Sequence, residues 1–100
     1  MAIGVGLARE PAGFRAFHPH PAFAAYVPEV DLPTDDDRYA LLRLVDPYDE
    51  TVWSSYQCHG LEAEFERLAG ENNDPQLVEV LDLVRRCAAD VGSSLWFLGD

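Results

Sequence analysis

The sequence predicts an α+β fold, a two-layer sandwich of about four mainly antiparallel strands with two helices on one face. Three observations lead there. Apolar residues make up 48% of a 100-residue chain whose mean hydropathy is −0.13, the balance of a single packed domain spanning residues 1–100 rather than of a disordered chain. Segments at both ends and around residue 50 alternate or run apolar at strand length, while residues 61–91 place apolar side chains at helical spacing. The order strand, irregular segment, hairpin, helix, helix, strand suits one sheet covered by a helical layer.

Residues Ala2 to Ala8 alternate Gly4 and Gly6 with Ile3, Val5 and Leu7, so a first strand would present branched side chains on one face and bare backbone on the other. Between Glu10 and Pro33, five prolines (Pro11, Pro19, Pro21, Pro28, Pro33) interleave with Phe14, Phe17, Phe23 and Tyr26. This predicts ordered coil packed by aromatics, with a turn or two of helix starting at Pro21. Tyr39–Val45 is short and apolar and reads as a central strand. Asp46-Pro47-Tyr48-Asp49 has the preferences of a type I turn, and Thr51–Gln57 is β-branched and aromatic, so the two runs predict a hairpin. After Gly60, Leu61, Phe65 and Leu68 form the stripe of a short helix ending near Gly70. Asp74-Pro75 then supplies an N-cap and an N1 proline for a second helix carrying Leu77, Leu81, Val84, Ala88 and Val91, ended by Gly92. Ser94–Asp100 reads as a last, buried strand. Leu42, Leu44, Phe65, Leu81, Val84, Trp96 and Phe97 are the expected core.

Charge restricts the function classes. Eighteen acids against seven bases, all of them arginine, give a net charge of −11. Residues 1–30 are balanced at two acids and two bases, so the excess lies beyond residue 30. Nucleic acid and anionic membranes are disfavoured as partners, because phosphate contacts need clustered Lys or Arg and the chain offers only Arg85-Arg86. Solvated helix pairs such as Asp82 with Arg86 account for those arginines more simply than a binding patch does. With no transmembrane-length apolar run and no basic stretch before Ile3, the expected location is cytoplasmic, and Cys58 and Cys87 are expected as reduced, packed thiols.

Leu44-Val45-Asp46-Pro47-Tyr48-Asp49-Glu50-Thr51-Val52 and Leu95-Trp96-Phe97-Leu98-Gly99-Asp100 resemble the corresponding pieces of small uncharacterised bacterial proteins of about this length. The resemblance covers most of the chain after residue 38 and implies a shared fold but no activity.

Catalytic and metal spacings are absent. Adjacent Cys58 and His59 cannot easily serve each other as nucleophile and base, and His18, His20, Cys58, His59 and Cys87 match no common zinc spacing. The run Asp35-Asp36-Asp37 lacks the alternating ligands and glycine of a calcium loop, and Gly4-Val5-Gly6 lacks the third glycine of a dinucleotide site. No cofactor and no metal are therefore expected. Two readings of function remain. In the first, Asp46, Tyr48, Asp49, Glu50 and Trp53 form an acidic, aromatic hairpin tip that docks a basic protein, as an immunity protein or antitoxin does with a nuclease. An ordinary exposed turn, with Trp53 in the core, accounts for the same residues. In the second, Phe17, His18, His20, Tyr56, Cys58 and His59 line a groove for a small molecule or a small enzyme's substrate. The apolar hairpin and last strand leave a homodimer open as well.

Overall fold

The computed structural model describes residues 2–10 and 21–99. Phe14, Phe17, His18 and His20 lie outside the described residues. The chain is α+β, with strands β1 (Ala2–Ala8) and β2 (Phe23–Asp31), a single 3-10 turn (Leu42–Leu44), strand β3 (Glu50–Ser54), helices α1 (Ser55–Glu71) and α2 (Pro75–Ala89), and strand β4 (Ser94–Leu98). The four strands form one sheet in the order β2-β1-β4-β3, every neighbouring pair antiparallel.

Strand parity divides the side chains between two faces. Ile3, Val5 and Leu7 lie in the same cross-strand rows as Val30, Val27 and Ala25 of β2, while Val5 and Leu7 also pair with Phe97 and Leu95 of β4. These rows, joined by Trp53 of β3, pack against Leu61 and Phe65 of α1 and Val80 and Val84 of α2. Phe97 sits between two rings, 6.1 Å from Phe65 and 6.5 Å from Trp53 between centroids. On the opposite face, β1 offers only Gly4 and Gly6, and aromatic side chains use the room. A Cβ at Gly6 would stand 2.6 Å from the Phe23 ring, and one at Gly4 would overlap the Tyr26 hydroxyl. Phe23 stacks on Tyr26 at 5.7 Å and meets Trp96 edge-on at 6.3 Å. The bare face predicted for β1 is thus filled from the neighbouring strands.

Several elements differ from the sequence expectation. Phe23–Asp31 is a nine-residue strand, not coil with a helical start at Pro21. A register shift between Ile3/Val5 gives β2 one extra residue there, where Pro28 and Glu29 are both exposed. A proline in that position on an edge strand costs no ladder hydrogen bond. Tyr39–Val45 forms turns and the 3-10 element rather than a strand, so the predicted hairpin does not exist and β3 pairs with β4. The reason is its period: Tyr39, Leu42 and Val45, three apart, are buried, whereas Leu44 is 62% exposed and leaves the expected core. Glu64 of α1 then satisfies the backbone, accepting from the Leu41 and Leu42 N–H groups at 2.8 and 2.9 Å.

Helix α1 begins five residues before Gly60 because Ser54 and Gln57 form a capping box. The Ser54 hydroxyl accepts from the Gln57 N–H at 3.2 Å and the Gln57 side chain accepts from the Ser54 N–H at 2.8 Å. It ends at Glu71, past Gly70, and the tight connection to α2 places Asn73 at a φ of 30°. Asp74 caps α2 as expected, accepting from the Gln76 N–H at 2.9 Å. Helix α2 stops at Ala89, before Gly92, and Val91 is exposed outside it.

Candidate functional site

An antiparallel sheet of this order gathers particular loops at one end. The starts of β1 and β3 and the finishes of β2 and β4 lie together, so the residues closing β2 meet those opening β3. In this chain both are acidic. Gly4, Leu98 and Glu50 form one row across the sheet, with Tyr26 crossing over Gly4 and Glu29 on the β2 bulge. Together with Asp49 and Gly99 they line a groove of about 390 Å³.

The loop carrying the acids is held firmly. Asp46 accepts from the Tyr48 N–H at 2.9 Å, and the Asp46 N–H donates to the Thr51 hydroxyl at 2.9 Å. Asp49 accepts from the Glu50 N–H at 2.8 Å, and its carbonyl accepts from Gly99 at 2.9 Å. Gly99 is required by close approach, since a Cβ there would stand 2.5 Å from the Asp46 carbonyl oxygen and 2.5 Å from the Pro47 carbonyl carbon. The end of β4 is therefore clamped to the acidic loop by backbone contacts, leaving the side chains of Asp46, Tyr48, Asp49 and Glu50 exposed.

Four of the five expected tip residues come together in this way. The fifth does not: Trp53 is buried on the helix side of the sheet, where Thr51 and Trp53 point away from the face shared by Glu50, Val52 and Ser54. Tyr26 and Glu29 were missed because residues 10–33 read as coil. The apolar spacing Ala25, Val27, Val30 was the available signal.

The alternative groove is not assembled among the described residues. Tyr56, Cys58 and His59 occupy the first turns of α1 rather than a strand end. Tyr56 is 85% exposed and His59 is exposed, while Cys58 is wholly buried. His18, His20 and Phe17 lie outside the described residues. Cys58 faces Cys87 of α2. Contact with Cys87, together with burial, pushes the Cys58 thiol well above the ordinary range, while contact with Cys58 lowers Cys87. Among the described residues no three His, Cys, Asp or Glu side chains form a metal-holding group.

Electrostatics separate the sheet end from the rest. Arg85 pairs with Glu66 at 2.9 Å and Glu62 at 3.7 Å, Arg86 with Asp82 at 3.9 Å, and Arg67 with Glu71 at 3.5 Å. In the run after β2, Arg38 pairs with Asp36 at 2.9 Å and Arg43 with Asp37 at 3.2 Å. The Arg38 guanidinium holds the Asp36 carboxyl below its usual range. Among the described residues no ion pair involves Glu29, Asp46 or Asp49. The helices thus offset part of their own charge, whereas Glu29, Asp46 and Asp49 at the sheet end keep theirs. A second depression of about 390 Å³ lies beyond Tyr26, between β2 and α2, where Ala25, Val27, Val78 and Leu83 are bordered by Glu79 and Asp82.

No helix among the described residues is long and apolar enough to cross a membrane. Comparison of the chain with models of protein families, with curated proteins and with solved structures finds no match.

Proposed function

We propose that this chain is a non-catalytic binding module that docks a basic protein through the acidic end of its sheet, in the manner of an immunity protein or antitoxin. One observation carries the reading. Glu29 and Asp49, from opposite edges of the sheet, converge with the exposed ring of Tyr26 on a groove whose backbone is tied by the Asp49–Gly99 hydrogen bond, and the exposed Tyr48 ring stands on the adjoining loop. Rigid aromatics supply contact area at little entropic cost, and surrounding acids steer a basic partner and raise its rate of association. The same acids repel a second copy, so the isolated chain is expected to remain monomeric through this face.

The test compares two variants of equal charge by pull-down from a host lysate at low and high salt. In Asp46→Asn/Asp49→Asn/Glu50→Gln three of the five carboxylates at the sheet end are removed. In Glu62→Gln/Glu66→Gln/Asp82→Asn the same charge is removed from the helices. The expected result is a stoichiometric basic protein retained by the wild type and by the helix variant, released as salt rises, and lost from the sheet-end variant. Exposed charges contribute about 0.2–1 kcal/mol each, so three should weaken the complex roughly tenfold at low salt. Equal retention by both variants, or equal loss from both, overturns the assignment of the site.

A further inference from the structure

The α1–α2 interface places the chain's two cysteines opposite each other, and neither is used by the docking surface. Contacts on either side fix the register of the two antiparallel helices. One turn before Cys58, the Ser55 hydroxyl donates to the Ala88 carbonyl at 3.2 Å. Beyond Cys58, Glu62 and Glu66 meet Arg85 at 3.7 and 2.9 Å. Between those contacts the register sets Cys58 of α1 opposite Cys87 of α2, and both are fully buried. We propose that Cys58 and Cys87 are a modification site, oxidised by a low-molecular-weight disulfide to an intramolecular bridge that ties α1 to α2.

The chemistry balances. The Cys87 thiolate attacks a small disulfide RSSR, forming a mixed disulfide and displacing RS⁻, which takes up a proton. Cys58 then loses its proton to solvent, its sulfur attacks the Cys87 sulfur, and the second RS⁻ leaves and is protonated. Two protein thiols are oxidised and one RSSR is reduced to two RSH. Contact with Cys58 lowers Cys87, which favours this order because the thiolate is the attacking form. Both sulfurs are buried, so the reagent reaches molecules in which the helices have opened transiently, and equilibrium rather than rate is diagnostic.

The bridge closes a loop of about 30 residues, for which the loss of chain entropy in the unfolded state predicts that folding favours the disulfide roughly 500-fold. The full chain is equilibrated in buffers of reduced and oxidised glutathione, once in native conditions and once in concentrated urea, quenched by alkylation and weighed without reduction. The expected native product is a monomer lighter by two hydrogens, its Cys58 peptide joined to its Cys87 peptide, with an equilibrium constant roughly 500-fold above that in urea. Its melting temperature is expected to rise by about 10 °C or more. Equal constants in the two conditions, a predominance of glutathione adducts or covalent dimers, or a lower melting temperature overturns the proposal. In Cys58→Ala or Cys87→Ala the intramolecular species is expected to vanish. The wild-type comparison decides alone if either variant fails to fold.

Discussion

Glu64 makes the sharpest demand on stability. Its carboxylate reaches from α1 to accept both the Leu41 and Leu42 N–H groups, at 2.8 and 2.9 Å in a half-buried setting. Those bonds hold the segment that delivers Tyr39, Leu42 and Val45 to the core. Hydrogen bonds to a charged group contribute about 1.5–3 kcal/mol each, but the two share one carboxylate and one desolvation cost, so roughly 3 kcal/mol is expected from Glu64→Ala. Against a typical domain stability of about 5–15 kcal/mol that is a large fraction, and it corresponds to a fall in Tm of about 12–24 °C. Helix propensity acts in the opposite direction, since Ala is the better helix former, and cannot mimic the loss. Urea titrations followed by tryptophan fluorescence suit the measurement because Trp53 and Trp96 are both buried. Glu64→Gln should retain half of the effect or less, because its amide nitrogen faces a backbone donor. A loss below about 0.5 kcal/mol in Glu64→Ala, the range of an ordinary surface substitution, would refute the reasoning.

Other substitutions probe other parts of the packing. Tyr39→Phe should be neutral or stabilising by up to about 1 kcal/mol in the same titration, since the buried hydroxyl has no hydrogen-bond partner among the described residues and the ring keeps its contact with the Arg67 guanidinium at 4.9 Å. Gly6→Ala should cost about 1–3 kcal/mol despite relieving the strand of a glycine, because its Cβ would stand 2.6 Å from the Phe23 ring, and Gly6→Ala/Phe23→Ala should show non-additive coupling. Asp36 and Asp90 are held below the ordinary aspartate value of 3.8, the first by Arg38 and the second by the Gly92 N–H and Ser93 hydroxyl. Their stabilisation is therefore full above about pH 3.8 and lost as pH falls through the lowered folded-state values, so Asp90→Asn should flatten the acid limb of stability against pH.

The α+β class, β1, β4 and the start of α2 were legible because each rests on local chemistry: alternation in Ile3–Leu7, the apolar run Leu95–Leu98, and the cap Asp74-Pro75. The misread elements are those in which a tertiary contact overrides the local preference. Thr51-Val52-Trp53 leads smoothly into Ser54-Ser55-Tyr56, so strand propensity masked the Ser54–Gln57 box that ends β3 and starts α1. Leu41, Leu42 and Leu44 crowd Tyr39–Val45 until alternation and a period of three look alike, and only Glu64, some 20 residues on, selects the second. In β2 the prolines signalled a break, whereas an edge position and a bulge accommodate Pro28.

The candidate site shows the same division between what is adjacent and what topology brings together. Asp46, Tyr48, Asp49 and Glu50 are neighbours in sequence, so their cluster was visible without a fold. Trp53 was included because it lies close by, yet its parity with Glu50 is odd, and a strand beginning at Glu50 must send the two to opposite faces. Tyr26 and Glu29 lie some 20 residues away and join the cluster only because β2 finishes where β3 starts. That placement follows from sheet order, since a segment joining two antiparallel strands of one sheet leaves and returns at the same end. The opposite end carries Ala8 and Ser94 in register, followed by Arg9. Acids at residues 29, 31, 46, 49 and 50 are therefore collected at one end by topology, not scattered over the surface as their spacing in the chain suggests. A field focused on one end steers a basic partner into a defined orientation, which the same charge spread evenly over the molecule would not do.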